Sequence, residues 1–158
     1  MAPAMKDRLD KSDRHILRLL QENGRITNAD LARKVGLSPP SMLQRVRKLE
    51  ESGTILGYSA VLDQQKLGYS IVVMAMISLA MHQEKPIDQF LAEIKGIPEV
   101  LECYHVSGDY DFLLKIVAKD IADYERVLLT HVAGIKSVGK IHSCFVLKTN
   151  KSSTPLPV

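Results

Sequence analysis

The chain lacks what several protein classes require. Two cysteines in 158 residues cannot build the disulfide framework of a small secreted domain, and a cytosolic pair is expected to stay reduced. Aromatic residues make up 5%, and no strand pattern carries the paired exposed aromatics on which RNA-binding sheets stack bases. The longest apolar stretch, around residues 71–77, is interrupted by Ser78 and His82 and is too short to cross a bilayer. No basic segment followed by an apolar one opens the chain, so the expected location is the cytoplasm, with no membrane partner. A glycine-rich phosphate loop, a nucleophile elbow and paired buried carboxylates are all missing, which removes the usual apparatus of catalysis. His105, His131 and His142 are the only candidates for acid–base work in the C-terminal part.

What is present is ordinary globular material, with 46% hydrophobic and 25% charged residues, enough for one domain or two small ones. The net charge of +3 hides an asymmetry. Residues 1–60 carry 11 Lys and Arg against 7 Asp and Glu, while residues 61–158 carry 10 against 11. A basic first module joined to a near-neutral second one suggests that only the first meets a polyanion.

Three bursts of helix signal lie between Leu9 and Gly53. The first opens at Asp10, with Asp13 at capping-box spacing, carries Ile16, Leu17, Leu19 and Leu20, and ends at Asn23-Gly24. The second opens at Thr27, buries Leu31 and Val35, and stops at Gly36, a residue free to take positive φ. The third opens with Ser38 as N-cap and Pro39 in the first helical position. The second and third form a helix-turn-helix, and the small Ala32 lets them cross closely. Met42, Leu43, Val46 and Leu49 are assigned to the inner side of the third helix. Its outward positions are Ser41, Gln44, Arg45 and Lys48, a hydroxyl, amide, guanidinium and ammonium stripe suited to base edges and phosphates in a major groove. By that reading Arg45→Ala abolishes sequence preference on DNA and Lys48→Ala weakens binding to all sequences. Asn28, Ser38, Pro39, Pro40 and Arg47 complete the expected DNA-contact set. The competing reading is a solvated face of a helical bundle; the spacing of Ala32, Gly36 and Ser38-Pro39 favours DNA.

Beyond Gly53, residues 55–62 read as a linking strand and 63–68 as a turn. Strand, helix, strand then occurs twice: 69–81, 85–95 and 100–107, followed by 111–118, 120–132 and 138–148. Ile87, Phe90, Leu91 and Ile94 mark the inner face of the first helix, with Pro86 near its start and Gly96 past its end. Ile121, Tyr124, Leu128 and Val132 mark that of the second, with Asp120 as N-cap. Joined by the tight turn 107–111, these units make a ferredoxin-like βαββαβ sandwich, so the fold class is α+β with an N-terminal three-helix helix-turn-helix domain. Strand 69–81 is apolar on both faces, and helices cover only one. The uncovered face predicts self-association, most simply as a two-fold dimer.

Cys103 and His105 share a face of one strand, as do His142 and Cys144 of another, which raises a Cys2His2 metal site. The expected strand order puts the two pairs at opposite edges, three steps or about 14 Å apart. Neither a metal nor a disulfide is therefore expected within one chain, and no cofactor is assigned.

Three segments now carry a resemblance: LDKSDRHILRLLQENGRITNADLARKVGLSPPSMLQRVRKLEESGTILGY, the turn SGDYDFLL and the closing HSCFVLKTNKSSTPLP. Over about residues 9–156 the chain resembles the Lrp/AsnC (feast/famine) family of bacterial and archaeal transcription regulators. Many relatives have Pro-x-Pro after the serine, where this chain has Pro39-Pro40-Ser41. The resemblance implies a winged-helix-like DNA-binding domain over 9–60 and a ligand-sensing, oligomerising domain over 66–150. It also implies double-stranded DNA as partner and homodimers assembling into tetramers or octamers. An amino-acid effector would sit against Ser107, Gly108, Asp109, Tyr110 and Asp111, with partner-subunit groups near Thr130, Ser137 and His142. Physically, N–H groups around Gly108 can hold a carboxylate, and Asp109 or Asp111 can pair with an ammonium; a plain hairpin turn is the alternative. Two other functions stay open: an architectural DNA binder without effector, and an enzyme like the haem-pathway decarboxylases of a related branch, which would have no use for the basic helix stripe. Residues 1–8 and 151–158 read as flexible by composition, and similar tails in relatives pack on a neighbour.

Overall fold

The computed structural model describes residues 9–80, 84–152 and 155–158, the side chains of 84–86 apart. The described chain divides into two compact units. One holds the residues up to Val61 together with those from Lys151 onward, and the other is Leu62–Asn150. Residues 1–8, expected to be flexible, and Met81, the expected end of the first strand, lie outside the described residues.

The first unit contains α1 (Lys11–Glu22), α2 (Asn28–Val35) and α3 (Pro39–Glu51). Each starts on the cap that its sequence proposes. Asp13 N–H donates to Asp10 Oδ1 at 2.7 Å and Asp10 N–H to Asp13 Oδ2 at 3.1 Å, closing the capping box of α1. Thr27 Oγ1 and Ser38 Oγ accept the N–H groups of Asp30 and Ser41. Pro39 gives up nothing, since an N–H at that position has no intrahelical partner. Gly36 ends α2 with φ at 77°, in the left-handed region that a side chain would strain. Leu37 N–H donates to Ala32 O at 2.9 Å, so the chain turns directly into α3. The core is Ile16, Leu17, Leu31, Ala32, Met42, Val46 and Leu49. Leu43, expected inside, is 37% exposed; it stands one residue from both Met42 and Gln44, and the buried row passes beside it.

The second unit runs β1 (Ile71–Leu79), α4 (Glu84–Lys95), β2 (Val100–His105), β3 (Phe112–Ala118), α5 (Ile121–Val127) and β4 (Val138–Phe145). The sheet order is β2-β3-β1-β4 with every pairing antiparallel, the order of a βαββαβ sandwich. Val73, Ala75, Ile77 and Leu79 of β1 pack with Phe112, Leu114 and Ile116 of β3 under Phe90 and Ile94 of α4 and Tyr124 and Val127 of α5. The alternate residues Val72, Met74 and Met76 are half-buried and stand on the other face of β1.

Four expectations are corrected. Residues 55–62 form no regular element and pair with no described strand; without a ladder partner a strand-like sequence stays an open segment. The second helix stops at Val127 and continues as a π-helical turn, Leu128–Val132, where Ala133 N–H reaches Leu128 O at 2.7 Å. The extra residue in that turn carries the buried row from Val127 to Val132, five residues on; in the first turn of α5 Tyr124 is buried and Ile121 is 66% exposed. On α4, Leu91 is 41% exposed and Ile97, just past the helix, is buried instead. The tail is tied down where it is described: Leu156 N–H donates to Gln21 Oε1 at 2.6 Å, Gln21 Nε2 donates to Leu156 O at 3.1 Å, and Val158 packs on the first unit's core.

Candidate nucleic-acid interface and effector turn

Burial of Met42, Val46 and Leu49 decides which way α3 faces. Pro40, Gln44 and Arg47 lie opposite that row and are exposed, with Leu43 on one flank and Ser41 and Lys48 on the other. Between Pro39 and Glu50 the helix holds no acid. An amide, a guanidinium, an ammonium and a hydroxyl on one exposed face can donate to guanine and adenine edges and to phosphates. Ser38 is the N-cap and its hydroxyl donates to Ser41 Oγ at 2.9 Å. Asn28 is exposed at the first position of α2, above Asp30, which pairs with Arg33.

Arg45 departs from the expected stripe. It is half-buried, and its Nη1 donates to Asp10 Oδ2 at 2.8 Å and to Asp13 Oδ1 at 2.7 Å. The Asp10 carboxyl is held below the ordinary value of 3.8, first by the Asp13 N–H and then by Arg45. The guanidinium is raised in turn by Asp10 and Asp13. Capping-box spacing reveals Asp10 and Asp13 in the sequence, yet nothing local says that a cation more than thirty residues away completes the group. Leu43 is the other residue of this face that sequence reasoning misplaced.

In the second unit the turn 107–111 is pinned to the end of β1. Val106 N–H donates to Asp111 O at 2.9 Å, Asp111 N–H to Ile77 O at 2.8 Å, and Leu79 N–H to Asp111 Oδ2 at 2.7 Å. Ser78 Oγ donates to Asp109 O at 3.3 Å. Gly108 has φ of 124°, open to glycine alone, and Ser107, Gly108 and Asp109 are exposed. The Tyr110 and His142 rings lie 6.2 Å apart, so these two candidates are brought together. Ser137 is joined to the same end of β1, its carbonyl accepting the Ala80 N–H at 2.8 Å. Its own hydroxyl is buried with no partner among the described residues. Thr130 is exposed on the π-helical turn.

The two Cys/His pairs do not converge. Cys103 packs on the core and His105 stacks on Phe112 at 4.7 Å, on the helix side of edge strand β2. His142 and Cys144 stand opposite Met76 and Met74 on edge strand β4, facing the other way. On that open face Lys115 Nζ donates to Glu102 Oε1 at 2.9 Å and Tyr104 Oη to Glu102 Oε2 at 2.7 Å. Among the described residues no group of three or more His, Cys, Asp or Glu gathers around one point.

Comparison with known proteins assigns both units. Residues 9–55 match a winged helix-turn-helix DNA-binding domain, and residues 72–156 match the Lrp/AsnC ligand binding domain. The transcriptional regulator AzlB of Bacillus subtilis is 35% identical over 150 residues, covering 95% of this chain and 96% of that protein. The proline dehydrogenase transcriptional activator of Rhodobacter capsulatus is 42% identical over 139 residues, covering 84% and 90%. A transcriptional regulator of Neisseria meningitidis, solved as an L-Met complex, superimposes with a TM-score of 0.90 at 34% identity over 95% of this chain and 97% of that one.

Proposed function

The chain belongs to the Lrp/AsnC family of transcriptional regulators, and from that premise we propose that it binds operator DNA through α3 and answers to an amino acid through its second unit. A DNA-binding regulator with a ligand-binding module is what the family comparison itself establishes. The observation that carries the rest is the exposed, acid-free face of α3 built on Gln44, Arg47 and Lys48, paired in one chain with a pinned turn whose N–H groups and carboxylates suit an amino acid. In this reading Asn28, Ser38, Pro39, Pro40 and Ser41 place the helix on phosphates and sugars, because helix N-termini and hydroxyls are phosphate-contacting groups. The DNA-binding domain spans 9–60 and the sensing domain 66–150.

The effector class is supported by the turn chemistry and by the Neisseria relative's L-Met complex. Ser107, Gly108, Asp109, Tyr110 and Asp111 form the near wall; of the three groups expected from a second copy, His142 lies 6.2 Å from Tyr110 of its own chain and Ser137 bonds the end of its own β1, so these two are taken beside the turn and only Thr130 is kept as the second copy's. The half-buried apolar face of Val72, Met74 and Met76 is the surface on which two copies meet, and such dimers assemble further into tetramers or octamers. No helix among the described residues is long and apolar enough to cross a membrane, and the reading places the protein in the cytoplasm without cofactor or catalysis. An architectural DNA binder shares the same α3 face and differs only in lacking an effector.

Sedimentation of the purified chain with and without each of the twenty amino acids, each repeated on duplex DNA, tests the reading. An assembly between dimer and octamer that shifts with one amino acid, whose own affinity changes by the same factor between the two assemblies, is the expected result, together with a DNA affinity that responds to that amino acid. An assembly indifferent to all twenty refutes the amino-acid sensor and leaves the architectural reading.

A further inference from the structure

Resting on the DNA-binding reading above, we infer that Arg45 is a positioning residue that fastens α3 to the first turn of α1 through Asp10 and Asp13, and that base edges are read by the row Leu43, Gln44 and Arg47. The geometry leaves Arg45 little choice. Successive residues of an α-helix point about 100° apart, so a guanidinium next to Gln44 in sequence turns away from the face that Gln44 presents and towards the helix it packs against. There Nη1 meets Asp10 Oδ2 at 2.8 Å and Asp13 Oδ1 at 2.7 Å, and the other oxygen of each carboxylate accepts a main-chain N–H, Asp10 Oδ1 that of Asp13 and Asp13 Oδ2 that of Asp10. Arg45 is thereby a strut between the middle of α3 and the N-terminal turn of α1, and the angle at which α3 projects depends on it. The row opposite the buried residues is what remains to enter a groove. Leu43, at 37% exposure beside Gln44, offers an apolar contact to a thymine methyl; Gln44 and Arg47 offer bidentate donors for adenine and guanine.

The test compares two 30-base-pair duplexes, one enriched by the unmodified chain from a random-sequence library and one scrambled from it. Variants are Arg45→Met, Asp10→Asn with Asp13→Asn, the three changes together, Arg45→Lys and Leu43→Ala, each checked for its thermal midpoint. A strut predicts that Arg45→Met and the double Asp variant weaken both duplexes by the same factor, roughly tenfold or less for a cluster of half-exposed ion pairs. Combining all three adds nothing, because the same interaction has already gone. The salt dependence stays as in the unmodified chain, since no phosphate contact is lost, and Arg45→Lys recovers part of the loss on both duplexes. Re-selection with Arg45→Met returns the same preferred bases, whereas Leu43→Ala relaxes one A·T position severalfold.

Loss of preference at a single base pair in Arg45→Met, with the double Asp variant unchanged, overturns the inference and makes Arg45 a reader; so do additive losses in the combined variant. Should Arg45→Met fail to fold, the double Asp variant against Arg45→Lys carries the same comparison. An unmodified chain that enriches no duplex refutes the DNA-binding reading itself, a result distinct from either of these.

Discussion

Replacing Asp111 with alanine tests whether the 107–111 turn is held in place by its own last residue. Three main bonds to described residues anchor that residue: its carboxylate accepts the Leu79 N–H at 2.7 Å, its N–H donates to Ile77 O at 2.8 Å, and its carbonyl accepts the Val106 N–H at 2.9 Å. Of these, Asp111→Ala deletes only the first, because the other two are main chain. Leu79 is 5% exposed, so its N–H has no ready replacement in water. A hydrogen bond to a charged group contributes about 1.5–3 kcal/mol, and a stranded buried donor costs about 1–3 kcal/mol. The expected loss is therefore about 2 kcal/mol, which for a unit of this size lowers the melting midpoint by roughly 8–16 °C. Asp111→Asn keeps an acceptor oxygen and should return at least half of the loss. Urea unfolding of the full chain, followed by circular dichroism, measures both. A loss below about 0.5 kcal/mol in Asp111→Ala, or an asparagine no better than alanine, would refute a structural role for the carboxylate and leave it to the effector's ammonium.

Other outcomes follow from equally local facts. Phe112 is fully buried with its ring 4.6 Å from Phe90, and Phe112→Ala should cost about 3–5 kcal/mol in the same unfolding assay. A Cβ on Gly139 would sit 3.1 Å from Ala80 N and 3.2 Å from its Cα; backbone cannot move aside as a side chain can, so Gly139→Ala should lose about 1–3 kcal/mol. Gln21→Ala removes both hydrogen bonds to Leu156, and limited proteolysis should then cut the tail faster while the two units melt nearly unchanged. The Glu102 carboxyl is held below its ordinary 4.5 by the Tyr104 hydroxyl and then by Lys115. A depressed acid stabilises the folded state above its ordinary value and loses that contribution as pH falls through the folded one. Melting midpoints taken between pH 6 and pH 3 should fall less steeply in Glu102→Gln than in the unmodified chain.

Much of the architecture was legible because it is local. Asp10, Thr27, Ser38, Pro39 and Gly36 act on their own turns, and each does in the structure what its residue type does anywhere. The alternation of residues 71–79 likewise announces a strand apolar on both faces, and two strand–helix–strand repeats leave few antiparallel orders to choose from. The π-helical turn after Val127 was not legible, since inserting one residue into a helix shifts its buried row without any punctuation in the sequence. Residues 55–62 have strand chemistry, but a strand needs a partner, and a pattern of residues does not supply one.

The candidate site divides along the same line. The sequence by itself determined that a basic helix opens on Ser38-Pro39, that a tight turn joins the two repeats at Gly108, and which polar residue types stand at each, because caps, turns and charge are properties of a few adjacent residues. Tertiary structure alone decided that Arg45 belongs to Asp10 and Asp13, that Leu43 faces outward, that Tyr110 meets His142 and that the Asp111 carboxylate holds Leu79. The reason is physical: a side chain's partner is set by which elements pack beside it, and packing is settled by distant apolar residues rather than by the side chain's own neighbours in sequence.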